Sequence, residues 1–111
     1  MGTIYEDIVS RALPRLLKTR KVGKQWGRNY EIDVAATLQG GKILFLEVKW
    51  SKLTLKEAKR ELLKLKAKAA QVGLSRPTVL GIAATKIQEK QELRKHGYAA
   101  LDLNDVFSAR V

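Results

Sequence analysis

The stretch that most constrains the fold is "YEIDVAATLQGGKILFLEVKWSK", residues 30–52, where two strand patterns flank a pair of glycines. In residues 43–50, apolar side chains occupy both alternating faces, which is typical of a central strand covered on both sides. In residues 30–38 the apolar positions, among them Ile32 and Val34, should share one face. The two glycines predict a tight hairpin turn, so these strands should pair antiparallel inside a sheet.

A helix is predicted at the start of the chain. Thr3 and Glu6 fit a T-x-x-E capping box, and an apolar stripe continues from there to Leu16. Pro14 interrupts this stripe. Because a proline in a helix interior removes a backbone hydrogen bond, we expect a kink or an end near it. A short strand through Val22 should follow.

The second half of the chain alternates helices and strands. A second T-x-x-E capping box opens a long amphipathic helix over residues 54–72. A buried strand is predicted over 78–85, a helix over 86–96 and a last strand over 99–103, followed by a terminal helical turn. The long helix should cross over to a parallel strand. We therefore expect a single α/β domain, residues 1–111, built as a sandwich around one mixed sheet.

Charged residues interrupt both strands of the hairpin. Glu47 and Lys49 are two apart and project side by side, and counting back from the turn sets Asp33 nearly opposite Glu47. Glu31 shares the face of Asp33, and whether it belongs to a site or only flanks one stays open. A charge within an apolar sheet is costly unless it is paired, so these side chains need partners.

Two interpretations account for these charges. A cross-strand salt bridge would let Lys49 neutralise Asp33 or Glu47. The acids outnumber the base, however, and a surplus of negative charge favours a missing cation. Asp33, Glu47 and the backbone carbonyl of Val48 could hold Mg²⁺ or Mn²⁺, which prefer oxygen ligands. Lys49 beside that ion could stabilise charge on a phosphate, as phosphodiester hydrolysis requires.

Composition narrows the function classes. The formal charge is +11, and residues 1–69 hold 16 basic against 7 acidic side chains. A lysine-rich soluble surface is the alternative explanation, but the clustering of the excess favours a polyanionic partner such as nucleic acid. The absence of cysteine and the single histidine exclude thiolate and multi-histidine metal sites. With no apolar run of the roughly 18 residues that a membrane span needs, and no leader-like N-terminus, we expect a cytoplasmic protein with no membrane partner.

Asp33 followed by "FLEVKW" at residues 45–50 resembles the PD-(D/E)XK nuclease superfamily, and the predicted element order matches its core. Within that superfamily, the sequence "EIDVAA…ILFLEVKW" is most similar to the nuclease-like C-terminal domain of archaeal AAA-type ATPases. Archaeal Holliday junction resolvases are similar in size, basic charge and motif spacing. The resemblance implies a restriction-endonuclease-like three-layer sandwich with an αβββαβ core.

The resemblance also implies an activity, Mg²⁺-dependent cleavage of DNA. Asp33 and Glu47 would be metal ligands, Lys49 the catalytic lysine, and Glu6 a further acid contributed by the first helix. For Glu6 the capping box is an equally strong explanation. Two copies in a dimer would suit a substrate with two strands to cut, although no sequence feature requires it. An ATPase domain or subunit would be a further partner.

Two basic segments are candidates for DNA contact. One has aromatics among its cations, which suits a groove that follows a backbone and stacks on bases; it could instead be a lysine-protected edge strand. The other is a ridge along the long helix, which could equally be a solvated face. The candidate residues are Lys21, Lys24, Trp26, Arg28, Lys52, Lys56 and Arg60. Trp50, by contrast, is predicted to lie in the core.

Three functions follow in order of preference. The first is a metal-dependent DNA endonuclease that could be selective for DNA structure. The second is a nuclease-fold module that binds DNA or serves an ATPase, with weak or no cleavage. The third, a basic RNA-binding protein, explains the charge but not the acids in the strands.

Overall fold

A five-stranded mixed sheet, covered by helices on both faces, organises the structure. The computed structural model describes residues 2–19, 22–26, 31–72 and 77–108, with side chains outside the description at residues 2–3, 22–26 and 31. The elements in chain order are α1 (Gly2–Leu17), β1 (Val22–Trp26), β2 (Glu31–Thr37), β3 (Ile43–Val48), β4 (Lys52–Leu53), α2 (Leu55–Val72), β5 (Thr78–Ala83), β6 (Lys86–Ile87), α3 (Lys90–Lys95), β7 (Ala99–Leu101) and α4 (Leu103–Ser108).

The sheet has the strand order β1-β2-β3-β5-β7. β1, β2 and β3 form an antiparallel meander, whereas β3, β5 and β7 run parallel. α2 is the crossover between β3 and β5, as the sequence predicts. The α/β class and the mixed sheet are thus confirmed. None of the helices in the described segments is long and apolar enough to cross a membrane.

Two hydrophobic cores lie on opposite faces of the sheet. One packs α1 and α4 against the sheet through Tyr5, Val9, Leu13, Leu44, Leu46, Val48 and Val106. The other packs α2 and α3 through Phe45, Ala58, Leu62, Leu65, Ile82 and Leu93. Every residue of β3 is buried, so the prediction of a central strand covered on both sides is confirmed.

The start of α2 is fixed by a capping box. The Thr54 backbone N–H donates to Glu57 Oε1 at 2.9 Å, and the Glu57 N–H donates to Thr54 Oγ1 at 3.1 Å. This reciprocal pair satisfies two of the donors that a helix start leaves free. The predicted beginning of this helix is confirmed.

α1 departs from the sequence prediction in two respects. It begins at Gly2, so Thr3 lies inside the helix and is not its N-cap. It also continues through Pro14 to Leu17 without ending at the proline. Proline in a helix interior costs about 3 kcal/mol, but Leu13 beside it is fully buried, and this packing holds the last turn on the sheet.

Residues 86–96 do not form the single helix that the sequence predicts. Lys86 and Ile87 form β6, which pairs in parallel with β4 as a separate two-stranded sheet. Glu89 then adopts a left-handed backbone with φ 53°, a conformation that a continuous α-helix excludes. The helix therefore starts only at Lys90.

A β-bulge breaks the alternation of β2. Gly23 pairs with Ala35, but Gln25 pairs with Ile32, so three steps of β2 face two steps of β1. Ile32 consequently packs in the α2-side core, while Val34 packs in the α1-side core. The prediction that both lie on one face is wrong, because period two holds only in a regular strand.

The connection from β2 to β3 is the predicted hairpin, with a three-residue turn at Gln39–Gly41. The Leu38 N–H donates to the Lys42 carbonyl at 2.8 Å and closes the turn. Gly40 and Gly41 both have φ of 85°, a region that residues with a side chain adopt at a cost. This turn sets the register that brings the end of β3 alongside the bulge of β2.

Candidate active site

The bulge in β2 lies opposite the carboxyl end of β3. The regular β2–β3 ladder ends at the pair Val34 and Leu46. Beyond this pair, the hydrogen bond from β3 to β2 is accepted by a side chain and not by a backbone carbonyl. The Val48 N–H donates to Asp33 Oδ2 at 2.9 Å. Bulges often re-aim side chains in this way. Asp33 is thereby fixed next to Glu47.

Glu47 is a nearly buried carboxylate, with only 8% of its surface exposed. Lys68 Nζ lies 3.5 Å from Glu47 Oε1, and Lys49 Nζ lies 3.9 Å from Oε2. The pKa of Glu47 is raised to about 7, first by burial and then by the charge of Asp33 and a hydrogen bond with it, against the opposing effect of Lys68 and Lys49. The site is therefore unfavourable for two full negative charges.

The long helix adds residues that the sequence interpretation did not assign to the site. Glu61 Oε1 lies 3.6 Å from Lys49 Nζ, and Glu61 Oε2 lies 3.6 Å from Lys64 Nζ. The pairing of Glu61 with Lys64 follows from their spacing of three residues on the helix. Glu61 and Lys68 are seven residues apart and so share a helix face, but only the packing of α2 on the sheet shows that this face meets β3.

The contributions from α2 correct the predicted surplus of acid. The cluster contains the acids Asp33, Glu47 and Glu61 and the bases Lys49, Lys64 and Lys68. Among the described side chains of the cluster, the acids and bases are equal in number, so the lysines of α2 offset the excess negative charge expected from the strands alone. The salt-bridge interpretation of Lys49 is correct to this extent.

The donor atoms available for a metal are few but suitable. Within the described segments, no group of three or more histidine, aspartate or glutamate side chains is arranged to hold an ion. Asp33 and Glu47 offer two adjacent carboxylates. Mg²⁺ is usually held by one or two carboxylates, with waters and substrate phosphates completing its shell, so this pair fits such an ion.

Two other residues of the predicted site are located by the structure. Glu6 is partly buried on α1, which covers the opposite face of the sheet from α2. Val48 uses its N–H to bind Asp33. The participation of Glu6 and the use of the Val48 carbonyl stay predictions, and the Glu31 side chain lies outside the described residues.

Trp50 is not a core residue as predicted. It lies two residues beyond the end of β3, is 50% exposed, and makes an edge contact with Tyr5. The alternation of the strand does place it on the α1 side, but the helix layer ends before covering it. An exposed tryptophan thus follows Lys49 directly in the chain, on the opposite face of the sheet from the cluster of acids and lysines.

Only part of the predicted DNA-contact surface can be placed. Lys52, Lys56 and Arg60 are exposed, at β4 and along α2. In the basic segment before β2, Lys24 and Trp26 belong to β1, but their side chains lie outside the described residues. Lys21 and Arg28 lie outside them altogether.

Comparison with known proteins gives a family and a fold. The family DUF234, described as archaeal and bacterial proteins of unknown function, matches residues 1–61. No curated protein matches the chain. A repair endonuclease from Pyrococcus abyssi is 22% identical with a TM-score of 0.53, and the match covers 88% of this chain and 46% of that one.

Two structures of EndoMS have the same fold. The apo form is 17% identical with a TM-score of 0.60, over 93% of this chain and 46% of that one. The complex with double-stranded DNA is 16% identical with a TM-score of 0.51, over 91% and 43%. The chain therefore spans less than half the length of these proteins, and the likeness concerns the fold.

Proposed function

The chain belongs to the DUF234 family, and we propose that it is a metal-dependent DNA endonuclease of the PD-(D/E)XK type. In this proposal residues 1–111 form one domain with the restriction-endonuclease-like fold. The observation that carries it is the meeting of Asp33, Glu47 and Lys49 at one end of the central strand. The fold in which these residues lie also supports the proposal, since it is similar to the folds of repair endonucleases.

Asp33 and Glu47 would hold Mg²⁺ or Mn²⁺, with the Val48 carbonyl as a further ligand. Such an ion polarises a phosphoryl oxygen and lowers the pKa of bound water, so that a nucleophile is available at neutral pH. The Val48 N–H holds Asp33 through Oδ2, so the other carboxylate oxygen, Oδ1, would be the one to bind the ion. Glu6 is proposed as a third acid, contributed from α1.

Lys49 is suited to contact the phosphate that is cut. Its backbone N–H donates to the Ala83 carbonyl at 2.8 Å. This bond anchors the Lys49 backbone to the end of β5 and so fixes the point from which the side chain extends. Its ammonium lies between Glu47 and Glu61, and the side chain is 41% exposed. Glu61 therefore acts as a positioning residue for a cation that can still reach a substrate.

DNA would lie across the exposed cations of β4 and α2, namely Lys52, Lys56 and Arg60. The segment with Lys21, Lys24, Trp26 and Arg28 is proposed as a second contact, from the sequence pattern alone. These contacts neutralise phosphates and carry no sequence information. A dimer of two chains, or an ATPase domain or subunit, stays a prediction from the family resemblance.

A second function is favoured by the balance of charge in the cluster. Lys49 Nζ and Lys68 Nζ each lie within ion-pair distance of one Glu47 oxygen, so both oxygens of this carboxylate already have a cation nearby without a metal. A nuclease-fold module that binds DNA, or serves an ATPase, with weak or no cleavage would have this arrangement.

A cleavage assay separates the two functions. Linear and branched DNA are incubated with the protein in Mg²⁺ or Mn²⁺, beside Asp33→Asn and Lys49→Ala. The endonuclease proposal expects cleavage by the wild type and a loss of about 100-fold or more in each variant. Asp7→Asn and Lys66→Ala change the same charges at exposed positions on α1 and α2, and both should cleave normally.

The contrary result is equally clear. If the wild type and all four variants bind DNA alike and none yields product, cleavage is excluded and the binding-module function stands.

A further inference from the structure

Trp50 presents a large aromatic surface at the edge of the candidate site. The indole is 50% exposed. Its ring centroid lies 5.1 Å from that of Tyr5, and the ring planes meet at 71°. A T-shaped contact of this kind leaves at least one indole face without an aromatic partner. An indole with one face open is a surface on which a nucleic-acid base can stack.

The indole is supported by a rigid neighbour. Tyr5 is buried, with 1% of its surface exposed, and its hydroxyl donates to the Ala84 carbonyl at 2.8 Å. This bond ties α1 to the residue that follows β5. Trp50 thus rests on a ring that is fixed by both packing and a hydrogen bond, so a ligand that stacks on it meets a surface already in place.

The position of Trp50 relative to Lys49 is set by the chain itself. Adjacent Cα atoms are about 3.8 Å apart, and neighbouring side chains project to opposite faces. Lys49 extends toward Glu61 on α2, and Trp50 extends toward Tyr5 on α1. A DNA strand that passes over the end of β3 from the α2 side to the α1 side would therefore meet the Lys49 ammonium and the Trp50 indole in turn, and Lys52, two residues further along the chain, is exposed as well.

We propose that Trp50 is a stacking platform for one unpaired DNA base next to the phosphodiester that Lys49 contacts. This inference rests on the proposed function and names its substrate class, DNA with an unpaired base at the cut. A base inside a continuous duplex has both faces covered by its neighbours. It can stack on Trp50 only after leaving the helix, which is least costly where it is mismatched, bulged or at a branch.

Fluorescence of 2-aminopurine, a base analogue that is quenched on stacking, reports this contact directly. Two duplexes are compared, one with an unpaired 2-aminopurine and one fully paired, in EDTA so that no cleavage occurs. The wild type should quench the unpaired base and bind that duplex more tightly. Trp50→Ala should abolish the quenching and weaken binding of that duplex about 10-fold, with little change for the paired duplex.

Two further variants make the result specific. Trp50→Phe keeps an aromatic face and should recover most of the quenching. Leu63→Ala removes an exposed apolar side chain that is 66% exposed on α2, on the other face of the sheet, and should behave as the wild type. Thermal unfolding of each variant confirms that it is folded.

The proposal is overturned if Trp50→Ala quenches the unpaired base as the wild type does, or loses affinity equally for both duplexes. Its fate is separate from that of the endonuclease proposal, because the measurement needs no metal and no cleavage. If the protein never cuts DNA but quenches the unpaired base through Trp50, the stacking proposal stands and the endonuclease proposal fails. If it cuts DNA in Mg²⁺ but shows no quenching, the endonuclease proposal stands and the stacking proposal fails.

Discussion

At the scale of the residue, Glu47 is held by side chains from three parts of the chain, Asp33 on β2, Lys49 after β3 and Lys68 on α2. Burial and the adjacent acid disfavour its charged form, while the two lysines favour it. A divalent ion would favour the charged form more strongly than either lysine. It would also have to compete with both lysines for the same oxygens, which makes metal binding the decisive property of this site.

A second cluster of charges fixes the start of α4. Lys90 Nζ donates to Asp102 Oδ2 at 2.7 Å and to Asp105 Oδ2 at 3.0 Å. Asp102 and Asp105 each accept the other's backbone N–H at 3.0 Å. Burial alone would raise the pKa of Asp102, but the bonds from Lys90 and with Asp105 hold it below its ordinary value.

This pKa shift predicts a pH-dependent stability. A carboxyl with a lowered pKa in the folded state stabilises the fold above its unfolded pKa and loses that contribution as pH falls through the folded value. Lys90→Met should therefore cost about 1–2 kcal/mol at pH 7, and the gap to wild type should narrow below about pH 4. Urea unfolding at several pH values measures it.

The control for this variant is Lys95→Met, an exposed lysine on the same helix, which should change stability little at any pH. A gap between Lys90→Met and wild type that stays constant down to pH 2 would contradict the role given to Asp102.

At the scale of the element, β5 and β7 lie so close together that there is no room for a side chain at Gly81. A Cβ on Gly81 would lie 2.6 Å from Ala99 Cβ and 2.8 Å from Leu46 Cδ1. Gly81→Ala should destabilise the fold by about 1–3 kcal/mol, because overpacking forces neighbouring strands apart. The free energy of unfolding in urea measures the loss.

Gly40→Ala is the informative comparison. A Cβ there meets nothing within 4 Å, but φ is 85°, so its cost comes from the backbone alone. Replacing Ala99 by Gly in the Gly81→Ala chain should recover part of the lost stability, because it removes the contact with the Ala99 Cβ and leaves those with Leu46 Cδ1 and the Ala99 carbonyl oxygen. It should not help Gly40→Ala, and if Gly81→Ala proves no less stable than the wild type, the crowding around Gly81 is contradicted.

The hairpin shows what sequence can predict at this scale. The opposition of Asp33 and Glu47 follows from a period of two and a turn only a few residues away, so both determinants are local. The bulge is not evident in the sequence, because Ile32 and Val34 are both apolar and fit either face. Likewise the left-handed residue at Glu89 gives no signal, since glutamate rarely adopts it.

The remaining errors concern tertiary packing. Pro14 looks like a helix end because local propensity disfavours it, yet burial of α1 outweighs that cost. Trp50 looks like a core residue because it is apolar and correctly phased, yet the strand ends at Val48. Glu61 and Lys68 look like surface charges on a basic helix. Their role depends on where α2 crosses the sheet, which helical periodicity does not specify.

At the scale of the whole molecule, the charge of +11 favours a polyanionic partner, and the fold is similar to those of repair endonucleases. Under the proposed function, the exposed cations on β4 and α2 bind the phosphate backbone, and the acids at the end of β3 hold the metal ion. The chain spans less than half of the length of the endonucleases that share its fold. Here the half-exposed Trp50 is the candidate determinant of selectivity within this domain.

The most direct test of the account is anomalous diffraction from crystals soaked in Mn²⁺. We predict a manganese peak between Asp33 and Glu47, about 2.1 Å from a carboxylate oxygen of each, with Lys68 displaced from Glu47, and no peak in Asp33→Asn crystals. A map with no manganese at this position, in which Lys68 and Lys49 still contact Glu47, would contradict the metal-dependent mechanism.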